Sequence, residues 1–238
     1  MDNQELQDIP DRQLILRSSI YQLLATGFTY PCQEIHTRLA DGSFAREIRR
    51  GLEACAPELA DDRTLSALHI DMPFTSFEAA YLSAFETDMP QPSVSLYEGS
   101  YVQKNDRAWL LLEIKGFYRN FGLQMAAEVN DLEDTLTAEL EFMQFLTAKL
   151  VQAQQDNDSP NAYLLAQRDF LSRHLALWLP ALNVIVKERC ITPFYIALTD
   201  LTDKFVARDM QFVHCLVDVL GISPKENKRM KVFKAESI

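Results

Sequence analysis

The sequence predicts an all-α fold, a compact bundle of about nine to eleven helices, on three observations. Helix starts and stops recur from end to end, while alternating strand patterns are nearly missing. Only seven of the 238 residues are glycine, few for a fold that spends residues on turns and phosphate loops. Apolar residues make up 47% of the chain, enough to bury one sizeable core or two small ones.

The elements follow in order. A first helix opens at Asp11, an N-cap type, runs through Ile20, Leu23, Leu24, Gly27 and Phe28, and must stop near Pro31. Shorter helices are expected over Gln33–Ala40, Phe44–Ala56 and Asp62–Ile70, then one from Thr75 to about Thr87 with Phe77, Tyr81, Ala84 and Phe85 on one face. Met89-Pro90-Gln91-Pro92-Ser93-Val94-Ser95 reads as an extended linker, because each proline restricts the residue before it. The chain thus divides into an N-terminal helical part (1–88), a linker (89–100), a C-terminal helical part (101–221) and a basic tail (222–238). The linker leaves two states open, a monomer or a dimer that exchanges its C-terminal helices.

Beyond the linker a long helix is expected from about Tyr101 to Phe121, closed by Gly122. Asp131 with Asp134 three residues on resembles a capping box, opening a helix whose stripe is Leu132, Leu136, Leu140, Met143, Thr147 and Leu150. Ser159-Pro160, Thr192-Pro193 and Ser223-Pro224 each place a hydroxyl at N-cap and proline at N1. The tail carries Lys225, Lys228, Arg229, Lys231 and Lys234 and reads as a solvated terminus.

Charge narrows the partners. A formal net charge of -11 argues against nucleic acid, which needs a basic surface to release counterions. Between Asp71 and Pro160 stand 15 acidic residues against 5 basic ones, a surface suited to a cationic peptide. The start, Met1-Asp2-Asn3-Gln4-Glu5, is acidic where a secretory signal is basic. No segment approaches the roughly 18 apolar residues of a membrane span, so a cytoplasmic protein that is not membrane-embedded is expected. Cys32, Cys55, Cys190 and Cys215 are widely spaced and expected to be reduced.

Signatures of catalysis are missing. The glycines are all isolated, so no loop converges its amides on a phosphate. None of His36, His69, His174 or His214 follows a glutamate at the Glu-x-x-His spacing of dimetal bundles, and no Gly-x-Ser-x-Gly is present. No enzyme activity, metal or cofactor is expected. What remains is carboxylates beside aromatic stripes. Glu139 lies roughly 60° from the centre of its helix's apolar stripe, and Glu78 stands similarly to Phe77, Tyr81 and Phe85. Such an acid can fork an arginine whose flat face lies on a ring, or can satisfy internal groups. Asp131 and Asp134 are accounted for as caps, and His174 and Trp178, one turn apart on the face of Phe170, as core.

Four stretches in register resemble the maturation chaperones of molybdenum-containing oxidoreductases, the TorD/DmsD/NarJ group. They are Phe77-Glu78-Ala79-Ala80-Tyr81-Leu82-Ser83-Ala84-Phe85, then Pro92 through Tyr97-Glu98-Gly99-Ser100-Tyr101, then Asp131 through Glu139-Leu140-Glu141-Phe142-Met143, and His174-Leu175-Ala176-Leu177-Trp178-Leu179-Pro180. The likeness runs from about Leu14 to Met210. It implies a two-part TorD-like helical fold with an acidic groove formed by Glu78, Tyr81, Phe85, Tyr97, Glu98, Tyr101, Asp131, Asp134, Thr135 and Glu139, and His174, Trp178 and Pro180 as a structural motif. It implies as client a catalytic subunit carrying a molybdenum cofactor, often with a twin-arginine leader, masked and held open until cofactor insertion. Thr135 stands where that group usually has histidine, which leaves recognition to Asp134, Glu139 and the neighbouring rings. Two other readings remain: a guanine-nucleotide-binding helical protein, for which some relatives of the group give precedent, and a helical adaptor indifferent to paired arginines.

Overall fold

The computed structural model describes residues 11–87, 93–103, 106–125 and 132–222. Its α-helices are α1 (Asp11–Phe28), α2 (Gln33–Ala40), α3 (Ser43–Cys55), α4 (Asp62–Ala67), α5 (Phe74–Tyr81), α6 (Arg107–Asn120), α7 (Leu136–Gln155), α8 (Asn161–Arg173), α9 (Leu175–Arg189) and α10 (Pro193–Val219). Among the described residues there is no strand, only an isolated bridge between Tyr97 and Thr135. The all-α expectation holds.

Helix α1 is buried around most of its circumference from Arg17 onward, so it works as a central post rather than a surface helix. It lies along α7, with α3 on another side and α10 reaching across. The α1–α3 crossing is close because Gly51 has no side chain: a Cβ there would stand 2.6 Å from Ile20 Cγ1. Arg17 and Asp209 tie α1 to α10 in a buried bidentate pair of 2.5 and 2.7 Å, and the Tyr21 hydroxyl donates to the same carboxylate at 2.6 Å. The hydrophobic core runs across the proline-containing segment: Leu24 and Phe77 before it and Leu140, Phe170 and Phe205 after it belong to one cluster. All four cysteines are free.

Several expected boundaries shift, each for a tertiary reason. Helix α5 changes to a π-helical turn over Leu82–Glu86, where an uninterrupted α-helix was expected. The helix expected from Tyr101 starts at Arg107, because Glu98–Ser100 forms a 3-10 turn held by contacts from elsewhere in the chain. Its predicted end is observed: Gly122 takes φ +73°. The helix expected from Asp131 starts at Leu136. Thr135 is its N-cap, accepting the Ala138 amide at 3.2 Å, while Asp134 faces another element and Leu132 is exposed rather than on the stripe. Asp131 itself lies outside the described residues, as do residues 89–92 of the linker and, from Ser223-Pro224 onward, the basic tail. Pro160 occupies the N-cap of α8, one residue later than expected; Thr192-Pro193 opens α10 with proline in its first turn as expected, but the Thr192 hydroxyl makes no cap bond. Finally, His174 breaks the chain between α8 and α9 with φ -127° and ψ -100°, so Phe170 and Trp178 belong to different helices. Pro180 is exposed within α9.

Candidate functional site

The residues from Ser93 to Gln103 form an irregular strap across α7 and the α8–α9 break, and most of the candidate residues converge on it. Its backbone is pinned at four points. The Val94 amide donates to the Ala84 carbonyl at 2.7 Å, and the Leu136 amide donates to the Leu96 carbonyl at 2.8 Å. The Glu98 amide donates to the Asp134 carbonyl at 2.9 Å, and the Gly99 amide donates to Asp134 Oδ2 at 2.9 Å. Glycine is required at 99 for this last approach, since a Cβ would lie 2.7 Å from Asp134 Oδ2 and 2.9 Å from Arg107 Nε. Burial raises the Asp134 carboxyl, against the opposing pull of the Gly99 amide and the Arg107 charge.

Beneath the strap is a polar knot. Glu98, 2% exposed, accepts from His174 Nδ1 at 3.0 and 3.3 Å. His174 Nε2 lies 3.6 Å from Glu113 Oε1, and Glu113 is also paired with Arg173. Glu139, fully buried, accepts the Trp178 indole N–H at 3.1 Å. Burial, and then the charge of Glu98, push the Glu139 carboxyl well above the usual carboxylate range. Tyr101 covers Trp178 with ring centroids 5.2 Å apart and donates its hydroxyl to the Ser95 carbonyl at 2.7 Å; burial pushes its phenol up to about 12.

This geometry corrects the expected groove. Glu98, Asp134 and Glu139 are 2% exposed or less and Thr135 6%, so none of the four presents its side chain at a surface. Helical periodicity placed Glu139 at the border of the core; the strap and α9 close over that border. Tyr97 and Tyr101 remain partly exposed.

Glu78, Tyr81 and Phe85 form a second cluster on α5 and its π turn. The rings of Tyr81 and Phe85 are buried against each other at 5.3 Å and against Tyr195 at 6.1 and 5.0 Å. Glu78 is partly exposed and accepts from the Tyr30 hydroxyl at 2.7 Å, and the Tyr30 ring lies 5.4 Å from Tyr81. That hydrogen bond raises the Tyr30 phenol, with burial and the charges of Glu78 and Glu86 adding to it. An accessible acid beside exposed aromatic surface is therefore present here. Tyr30, half exposed, is the member sequence reasoning missed; it sits directly before Pro31, where the sequence signals only a helix stop. The Val94–Ala84 bond joins the two clusters end to end.

Residues 45–183 match the family model described as nitrate reductase delta subunit, which is more than half of the chain. The chain belongs to that family. As a member of the nitrate reductase delta subunit family, the group of NarJ and TorD, it bears out the resemblance drawn from the four sequence stretches. It is 51% identical over 195 residues to the perchlorate reductase assembly chaperone protein of Dechloromonas aromatica, covering 81% of this chain and 87% of that one. It is 33% identical to the selenate reductase assembly chaperone protein of Thauera selenatis, over 68% of this chain and 72% of that one. With a chaperone protein TorD of Vibrio cholerae it shares 28% identity over 80% of this chain and 83% of that one. The delta subunit family match takes in Glu78 to Trp178, and so both clusters apart from Tyr30 and Tyr195. Among the described residues no helix is long and apolar enough to cross a membrane, and no group of three or more His, Cys, Asp and Glu is placed to hold a metal ion.

Proposed function

We propose that this chain is an assembly chaperone without catalytic activity. It binds the catalytic subunit of a molybdenum-containing oxidoreductase in the cytoplasm and holds it for cofactor insertion before export or assembly. The observation that carries this reading is the 51% identity, across four fifths of the chain, to a perchlorate reductase assembly chaperone. That relative points to an oxyanion reductase of the same kind as the client.

The client's leader, with its paired arginines, docks on the accessible acids. Glu78, its partner Tyr30 and the neighbouring Glu86 offer charge beside a ring at the surface, and the partly exposed Tyr97 and Tyr101 extend the surface along the strap. A guanidinium there forks the carboxylate and lies on the phenol ring. The buried acids contribute indirectly: Asp134 seats the strap through Gly99, Glu98 through His174 and Glu139 through Trp178. Thr135 serves as a helix cap in the place of the group's usual histidine.

Titration of the client's leader peptide into the full chain, by calorimetry at low and high salt, tests this. Binding that needs both arginines, weakens with salt and falls about tenfold in Glu78→Gln, the loss of roughly one charge-assisted hydrogen bond, supports it. A leader that binds equally well with its arginines replaced by alanine contradicts the acidic site.

A further inference from the structure

Two acids are buried together where the strap meets α7 and α9. Both oxygens of Glu98 face His174 Nδ1, at 3.0 and 3.3 Å, a bond in which an ionised Glu98 accepts from Nδ1–H. Glu139 Oε2 takes the Trp178 indole N–H, while its buried Oε1 has no donor among the described residues. Besides that indole, the polar side chain that Glu139 meets is the carboxyl of Glu98. Two ionised carboxylates have no hydrogen to share, so a bond between them requires a proton on one.

The charged and titratable groups facing the pair come from every neighbouring element. Helix α6 contributes Glu113 and Tyr118, with Arg107 beside Asp134; the turn before α7 contributes Glu133 and Asp134, and α7 itself Glu141; the strap contributes Tyr101, against Trp178; the α8–α9 break contributes His174 and the Arg173 that pairs with Glu113. Arg107 stands beside Gly99 and Asp134, and Arg173 pairs with Glu113. The Tyr118 hydroxyl is engaged with the Glu133 carbonyl at 3.0 Å. His174 therefore hydrogen-bonds Glu98, and Glu139 is left with the neutral indole.

We propose that Glu98 and Glu139 hold one proton between them, carried on Glu139 and donated to Glu98, and that losing it unseats the strap from α7 and α9. Like charges in a dry site cannot both persist, as in carboxylate dyads generally. Burial and the Glu98 charge both raise Glu139, so the folded chain keeps a proton that the unfolded chain releases near the ordinary value of about 4.3. Stability therefore falls as pH rises from that value through the raised one. The repulsion is relieved by outward movement of Glu98, which takes the Leu96, Glu98 and Gly99 backbone bonds with it and uncovers Tyr101 and Trp178. This proton site needs no client and stands or falls apart from the chaperone reading.

Trp109, 74% exposed, and Trp178 are the two tryptophans, so Trp109→Phe leaves Trp178 as sole reporter in the full chain. Raising the pH from about 5 to 9 is expected to shift its emission to the red and to lower Tm by about 3 °C or more. Adding Glu139→Gln is expected to abolish both, because the amide donates to Glu98 and still accepts from Trp178. Emission and Tm that do not change with pH, or that change equally with Glu139→Gln present, overturn the proposal. Should the glutamine variant fail to fold, the carbon-13 shift of the Glu139 side-chain carboxyl in the unmutated chain decides: a midpoint raised above the ordinary value of about 4.3 supports the shared proton, and one at or below that value overturns it.

Discussion

Burying Arg17 and Asp209 together removes two charges from water, and the structure compensates with a bidentate fork plus the Tyr21 hydroxyl. Burial alone would lower the Arg17 guanidinium, yet Asp209 raises it, so the guanidinium stays charged inside the core. Asp209→Ala leaves an uncompensated guanidinium and is expected to cost about 3–5 kcal/mol in a urea unfolding titration. A loss below about 1 kcal/mol would mean that water reaches Arg17. Gly99 is a second case where one atom decides. Gly99→Ala drives a methyl into Asp134 and is expected to weaken the strap, read as faster hydrogen exchange at the Glu98 and Gly99 amides than in the unmutated chain.

Among the elements, α7 shows how a cap and a tertiary contact divide adjacent residues. Thr135 caps the helix while Asp134 turns outward to the strap. Thr135→His removes the hydroxyl cap and is expected to cost about 1 kcal/mol, whereas Thr135→Ser keeps it. Equal stability of the two variants would show that the cap bond contributes nothing. The junction of α9 and α10 carries a pH signature of the opposite sign to that of Glu139. Burial would raise Asp200, but bonds from Lys187 at 2.5 Å, Lys204 at 2.7 Å and Asn183 at 3.3 Å bring it down to about 2. Its stabilising effect is therefore present above the ordinary aspartate value and lost as pH falls through about 2. Thermal melts between about pH 5 and 2 should fall less steeply for Asp200→Asn than for the unmutated chain.

Over the whole molecule, the sequence makes helices legible wherever their ends are local. Pro31 after α1, Gly122 after α6 and Pro193 in α10 act on their own neighbours and are found where expected. The misplaced starts of α6 and α7 have a different origin: Gly99 and Asp134 meet across 35 residues, and no periodic pattern encodes that meeting. The same limit governs the site. Tyr81, Phe85, Glu98, Asp134, Glu139, His174 and Trp178 are all found at the two linked clusters, so the residues that meet there were visible as a set. Their exposure was not, because periodicity reports one helix's face and not what another segment lays over it. Arg17 shows the converse: a charged residue on α1 gives no sign that Asp209, 192 positions away, makes its burial possible.

The most direct test of the chaperone account is co-purification. The tagged full chain is expressed in a cytoplasm that is also making an oxyanion-reducing molybdoenzyme, and bound proteins are identified by mass spectrometry. The account predicts recovery of the catalytic subunit in its cofactor-free form, and loss of that subunit from the bound fraction once cofactor is inserted. Recovery of the cofactor-loaded subunit alone, or of no catalytic subunit in cells shown to be making it, would contradict the account.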